Sequence, residues 1–265
     1  MWSLLKLYAG FLAIGIEMLL NMPWIPVFWI GRKLGRDEWV NAIVNRLVMR
    51  WAQRSLRHLQ CKVEVEGLEH LPRDAPLILM SNHQSLLDIP VCLGFLGRSM
   101  GFVAKTELYR IPVLNFWMRQ IHCAEMDRAD VRSSGKLLES LSHQVKQGGY
   151  RFLIFPEGTR TKHPDGHIGV FKRGALRIAD TEGIPIVPIS IDGTRYLVKL
   201  SLLRKIPPAR RIVRVRIAPQ VAVHKDLSSL ESKRLMEELR HTIVSNWEAI
   251  RIDWMSAEPG SQSVR

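Results

Sequence analysis

Apolar residues recur along this chain with a helical period up to about residue 58 and in short strand-like runs beyond it. Asp37 and Glu38 suit a helix start, and Val40, Ile43, Val44, Leu47, Val48 and Trp51 follow at helical spacing. From Cys61 onward, Val63 to Val65, Leu77 to Met80, Gly101 to Ala104, Phe152 to Phe155 and Ile186 to Ile191 are apolar runs of strand length. Ser133 to Gln147 and Phe171 to Ala179 lie between them as helical segments. Alternation of this kind predicts an α/β fold, with a mostly parallel central sheet covered by helices. Arg211 to Ile217 alternates charge with Val213, Val215 and Ile217, which suits a half-exposed edge strand. Ser228 to Trp254 predicts a closing amphipathic helix with Leu235, Leu239, Ile243 and Trp247 on one face, and the polar end from Ser256 is expected to be loose. The expected division is an N-terminal helical region over 1–58, an α/β domain over 59–255 and a flexible tail over 256–265.

The first thirty residues are the most hydrophobic part, yet Lys6 and Glu17 interrupt them and Asn21, Pro23 and Pro26 punctuate the second half. No basic region precedes the apolar stretch and no small-residue cleavage site follows it, which argues against a cleaved signal peptide. Trp2, Tyr8, Trp24 and Trp29 are residues favoured at a water-lipid boundary, with Arg32, Lys33 and Arg36 as a basic flank. The expectation is an uncleaved membrane-anchoring helical segment, either kinked and spanning or partly embedded; a hairpin buried in the globular fold is the other reading. In the next helix Arg46, Arg50, Arg54 and Arg57 form a second stripe, as on a helix lying on anionic lipid or on one with a solvated face.

Hydrophobic residues make up 46% of the 265, which excludes a disordered polyelectrolyte and allows a full core. Lys and Arg total 38 against 25 Asp and Glu, and the net charge of +13 predicts attraction to polyanions without choosing among nucleic acid, anionic lipid, phosphorylated metabolites or an acidic carrier protein. Cys61, Cys92 and Cys123 have no C-x-x-C spacing, so neither a disulfide framework nor a structural zinc site is indicated, and the chain reads as reduced and cytosol-facing.

Candidate chemistry starts at Ser81-Asn82-His83-Gln84-Ser85-Leu86-Leu87-Asp88, directly after the apolar run Leu77 to Met80. Residues five apart on a regular helix point about 140° away from each other. His83 and Asp88 therefore meet only if His83 lies in a turn before the helix, with Asp88 in its first turn and Asn82 in the turn or as a cap. In that arrangement Asp88 fixes the imidazole tautomer and stabilises the imidazolium formed when His83 takes a proton.

A second cluster, Phe155-Pro156-Glu157-Gly158-Thr159-Arg160, follows another apolar run. Pro156 and Gly158 shape a turn, Glu157 is a hydrogen-bond acceptor, and Arg160 offers a planar fork of donors matched to phosphate. Gly169 to Gly174 adds Lys172 and Arg173 downstream. With these residues in order the chain resembles the glycerolipid acyltransferases. Four blocks carry the resemblance between about residues 60 and 220. They are Asn82 to Asp88; Lys105, Glu107, Leu108 and Pro112 with Asp127 and Arg128; Phe155 to Arg160 with Phe171 to Gly174; and Val187-Pro188-Ile189.

The resemblance implies an acyltransferase domain that moves a fatty acyl group from acyl-CoA or acyl-carrier protein to the sn-2 hydroxyl of 1-acyl-sn-glycerol 3-phosphate, giving phosphatidic acid. It implies His83 and Asp88 as the catalytic pair, and Glu157, Gly158, Thr159 and Arg160 with Lys105 and Arg128 as the substrate seat. No bound cofactor or metal is expected, and the partners are membrane lipid and the thioester donor rather than nucleic acid. The catalytic domain is expected to face the cytoplasm at the inner or plasma membrane. The chain departs from the family in its second block: Asn115 and His122 stand where glycines are common, and Glu125 where an apolar residue is usual. These side chains are expected to reshape the acceptor or acyl pocket. Another lysolipid or glycerol 3-phosphate is the alternative acceptor. Two other classes compete. Gly97-Arg98-Ser99-Met100-Gly101 matches the G-x-S-x-G pattern of serine hydrolases, but it lacks the strand before and helix after the serine that the elbow needs. A non-enzymatic binder of anionic lipid or nucleic acid accounts for the charge alone.

Overall fold

The structure is a computed structural model and describes residues 2–72, 75–126, 131–163, 165–198 and 206–251. Among the described residues seven strands form one sheet: β1 (Lys62–Glu66), β2 (Leu77–Ser81), β3 (Gly101–Lys105), β4 (Ala124–Met126), β5 (Arg151–Ile154), β6 (Ile186–Asp192) and β7 (Ile212–Ile217). Their order is β1-β7-β6-β2-β5-β3-β4, and every neighbouring pair is parallel except β6 with β7.

Strand β2 shows why the apolar runs lack alternation. Leu77 and Leu79 join one core, Ile78 and Met80 the other, and all four are fully buried because helices cover both faces. On the first face lie α3 (Asp37–His58) and α4 (Asp88–Phe95), joined by α5 (Thr106–Tyr109) and α6 (Pro112–Gln120) after β3. The stripe Val40, Val44, Val48, Ala52 and Leu56 of α3 belongs to the same core as the sheet, while Arg46, Arg50, Arg54 and Arg57 are exposed. The second face is covered by α7 (Val131–Gly148) and the closing helix α10 (Ser229–Ile250), through Leu138, Leu141, Val145, Met236, Leu239, Ile243 and Trp247. Ser228 and Glu231 form a capping box that fixes the start of α10. Trp254 and the tail from 256 lie outside the described residues.

Two expectations about elements are corrected. Strand β7 is not an edge: it lies between β1 and β6, and its alternating burial arises because one sheet face is less covered there. Phe171 to Ala179 is not one helix but a 3-10 turn, Arg173–Leu176, followed by α8 (Arg177–Asp180). Its start is tethered, since Lys172 N donates to Pro156 O at 2.9 Å, and Gly174 weakens the helical run.

Helices α1 (Trp2–Leu20) and α2 (Trp24–Lys33) precede α3. Trp51 Nε1 donates to Ile14 O at 3.1 Å, and buried Phe28 stacks against Phe116, which tie the two helices to the domain. Among the described residues no single helix is long and apolar enough to cross a membrane. The pair Leu12–Leu20 and Trp24–Lys33 passes together, bent by 42°.

Candidate active site

The parallel trio β5-β2-β6 brings three carboxyl ends side by side, the position at which open α/β sheets bind ligands. From β2 comes the loop Asn82 to Leu87, from β5 the turn Phe155 to Arg160, and from β6 the residues Asp192 to Thr194. Asn82 works as an extra ladder partner rather than a helix cap. Its Nδ2 donates to Ile191 O at 2.9 Å and its Oδ1 accepts from Ile191 N at 2.8 Å. The chain thus leaves the sheet without stranding buried backbone groups.

His83 lies in the turn and Asp88 opens α4, as the five-residue spacing requires. His83 Nδ1 meets Asp88 Oδ2 at 2.7 Å. Asp88 is fully buried, a state that is costly for a carboxylate unless its oxygens are satisfied. Oδ2 also accepts from Gln84 N at 2.7 Å and Ser85 N at 2.9 Å, and Oδ1 accepts from the Thr194 hydroxyl. With so many donors aimed at it, Asp88 is the acceptor and Nδ1 carries the proton. The lone pair of the neutral imidazole is then on Nε2. Among the described residues nothing hydrogen-bonds Nε2. The Phe155 ring stacks on the imidazole at 4.0 Å and 16°, restricting its rotation.

Glu157 serves the same loop from below. The residue is 5% exposed; Oε1 accepts from His83 N at 2.8 Å and Oε2 from Gly169 N at 2.9 Å. Both oxygens are therefore occupied by backbone, which is not what a direct place in an anion seat requires. Burial pushes the Glu157 pKa up, and the two N–H bonds partly offset the shift. For an acid with a raised folded pKa the sign is unfavourable to the ionised fold: stability falls as pH rises from its ordinary value of 4.5 toward the folded one.

The remaining expected residues spread along the rim. Gly158 has φ +67, and a Cβ there would come 2.9 Å from Lys172 Nζ, so this ammonium lies directly over the turn. Thr159 and Arg160 are exposed, and Thr161 N, next along, donates to His83 O at 2.8 Å. Lys105 is exposed at the carboxyl end of β3, one strand beyond β5. Arg128 and Asp127 lie outside the described residues.

Ser99 sits at the opposite end of the sheet. It precedes β3, follows α4, and donates its N–H to Asn45, which is the reverse of a hydrolase elbow. His122 is at that end too. It lines a cavity of about 780 Å³ with Gly101, Tyr150 and Arg151, away from His83, so it does not shape a pocket beside the dyad. Its φ of +61 explains why glycine is at home there, and stacking on Tyr150 at 4.4 Å accompanies that backbone.

Comparison with known proteins adds a second line. A family model described as acyltransferase matches residues 62–192. A solved 1-acyl-sn-glycerophosphate (LPA) acyltransferase, PlsC, from Thermotoga maritima is 30% identical. It superposes with a TM-score of 0.67 over 90% of this chain and 95% of its own. The chain belongs to the acyltransferase family. A chloroplastic 1-acyl-sn-glycerol-3-phosphate acyltransferase of Brassica napus is 35% identical over 76% of this chain, and one of Arabidopsis thaliana 34% over 75%. The chain spans about half the length of these plant relatives, 55% and 52%.

Thr194, just past the end of β6, also reaches the Asp88 carboxylate. No motif marks it, but the signal was available: Asp192-Gly193-Thr194 ends the Val187-Pro188-Ile189 strand, and the strand end belongs to the site. The reach of Glu157 to backbone far away in sequence had no signal at all.

Proposed function

We propose that the protein is a 1-acylglycerol-3-phosphate O-acyltransferase that acylates the sn-2 hydroxyl of lysophosphatidic acid from acyl-CoA or acyl-carrier protein, releasing phosphatidic acid and the free thiol. One observation carries this reading. A histidine with Nδ1 held by a buried aspartate and Nε2 left open stands at the strand ends of a chain that belongs to the acyltransferase family. The names of the Thermotoga and plant relatives support the acceptor.

His83 Nε2 takes the proton of the acceptor hydroxyl as its oxygen attacks the thioester carbonyl. The tetrahedral intermediate collapses, the carbon-sulfur bond breaks, and the imidazolium returns the proton to the leaving sulfur. Asp88 stabilises the imidazolium in between. Enzyme nucleophile and covalent intermediate are both unnecessary, because the acceptor supplies the oxygen.

Arg160, Lys105 and Arg128 are assigned to the acceptor phosphate, with Gly158 and Thr159 shaping the turn that presents Arg160. Glu157 contributes by fixing the His83 loop. The test is thiol release measured across donors and acceptors. Arg160→Ala is expected to raise KM for lysophosphatidic acid about 10-fold, the scale of one charge-assisted hydrogen bond. It should leave the weak reaction of a phosphate-free monoacylglycerol nearly unchanged. Equal losses on both acceptors would remove Arg160 from the phosphate seat, and thiol release that ignores every acceptor would make the protein a thioesterase.

The membrane reading rests on side chains that a water-exposed surface ordinarily hides. Leu12, Leu19, Leu20, Trp29 and Leu34 on α1, α2 and the turn after it are between 55% and 70% exposed, and Lys33 Nζ sits 3.7 Å above the Trp29 ring. In this reading α1 and α2 enter the lipid, as a bent span or a partial insertion. The catalytic domain then faces the cytoplasm, and the arginine stripe of α3 adds attraction to an anionic surface. Full-length protein is expected to float with vesicles holding anionic lipid, less at high salt, and less again with Leu20→Ser and Trp29→Ser together. Flotation unaffected by the paired substitution would overturn the assignment of this face.

A further inference from the structure

The carboxyl end of β6 grips the catalytic loop at three successive points. Ile191 pairs through its backbone with the Asn82 amide, Asp192 Oδ1 accepts from Gln84 Nε2 at 3.1 Å, and the Thr194 hydroxyl donates to Asp88 Oδ1. Asp192 Oδ1 also accepts from Trp247 Nε1 at 3.1 Å, so α10 braces the same strand end. Gly193 makes the third point possible. Its φ is +101, and a Cβ there would meet Ile212 O at 2.5 Å, so only glycine lets the chain turn back here and open the short helix α9 (Thr194–Leu197) with its first hydroxyl facing the loop.

We propose that Thr194 is a positioning residue for the acyl transfer step, setting the carboxylate of Asp88 and through it the imidazole of His83. This assignment rests on the acyltransferase function proposed above. The two oxygens of Asp88 are unequally served. Oδ2 receives the imidazole N–H and two backbone N–H groups, whereas Thr194 is the partner of Oδ1. Both Asp88 and Thr194 are completely buried, so water does not take the place of the hydroxyl. If it is lost, an anionic oxygen is stranded in a dry site, and the simplest relief is rotation of the carboxylate, which carries Oδ2 away from the three donors converging on it. The imidazole then loses its fixed orientation without any change in the surfaces that touch substrate.

The test compares Thr194→Val, which keeps the shape and removes the donor, with Thr194→Ser, which keeps the donor. Thr194→Val is expected to lower kcat about 10-fold or more with KM for donor and acceptor unchanged, as for loss of a hydrogen bond to a charged group. Thr194→Ser should restore at least half of the activity. A second readout needs no turnover: the low-field proton resonance of His83 Nδ1–H should broaden or vanish in the valine protein and persist in the serine protein. Should the valine protein fail to fold, Thr194→Ala is expected to give the same pair of results. Inactive wild-type protein with the resonance behaving as stated sinks the acceptor and donor assignment but not the role of Thr194. Active wild-type protein with unchanged kcat and an unchanged resonance in the valine variant sinks Thr194 alone.

Discussion

His83→Ala is expected to reduce acyl transfer by about 10³-fold or more, within the range that a positioned general base contributes. Among the described residues no neighbouring carboxylate is placed to take over the proton. The Asp88 carboxylate is fully buried behind the imidazole, and both Glu157 oxygens are held by backbone N–H groups. The loss is expected in kcat, because in the proposed mechanism His83 meets the reacting hydroxyl and not the phosphate end of the acceptor. Folding should survive: the His83 backbone, which carries the Glu157 and Thr161 bonds, is untouched by the substitution. Thermal unfolding checks this, with a modest decrease expected because Asp88 Oδ2 loses one of its three donors. A purified, folded alanine variant that retains a tenth of the wild-type rate would show that another group removes the proton and would end the mechanism given above.

What could be seen in the sequence divides along physical lines. The dyad was legible because its geometry is local: an apolar strand, a five-residue interval and a helix start leave one way for His83 and Asp88 to meet. The central strands β2, β5 and β6 were legible as buried runs, since a sheet covered on both faces there leaves no polar alternation to misread. Neighbours were not. The pattern of Val213, Val215 and Ile217 reports which side of β7 is buried, but whether β1 lies beyond it depends on pairing across some 150 residues. Thr194 and Glu157 were obscure for a related reason. Their partners are a carboxylate and backbone N–H groups contributed by distant segments, and only the juxtaposition of β5, β2 and β6 brings them to one loop. The arginine stripe of α3 illustrates the converse, since periodicity alone separates its exposed face from its buried one but does not name what the exposed face meets.

Asp88→Asn is expected to cost about 10²-fold in kcat, on the scale of losing one preorganised electrostatic contact to a developing charge. The reason lies in which oxygen the backbone selects. Gln84 N and Ser85 N both point at the Oδ2 position, so the amide of an asparagine has to place its oxygen there and its NH2 group beside Thr194. A threonine hydroxyl turns and accepts as readily as it donates. The amide oxygen therefore still receives the His83 Nδ1 proton, the imidazole keeps its reactive tautomer, and what disappears is the negative charge that stabilises the imidazolium. Asp88→Ala should be worse than Asp88→Asn, approaching the His83 variant, because it leaves the N–H groups of Gln84 and Ser85 buried without an acceptor and frees the loop that carries the base. Nitrogen NMR of labelled His83 distinguishes the two variants directly. In the asparagine protein Nδ1 should remain protonated and Nε2 bare, with substrate KM near the wild-type value; a tautomer switched to Nε2–H would show that the two backbone donors do not dictate the amide orientation, and activity within two-fold of wild type would remove the charge of Asp88 from the transition state altogether.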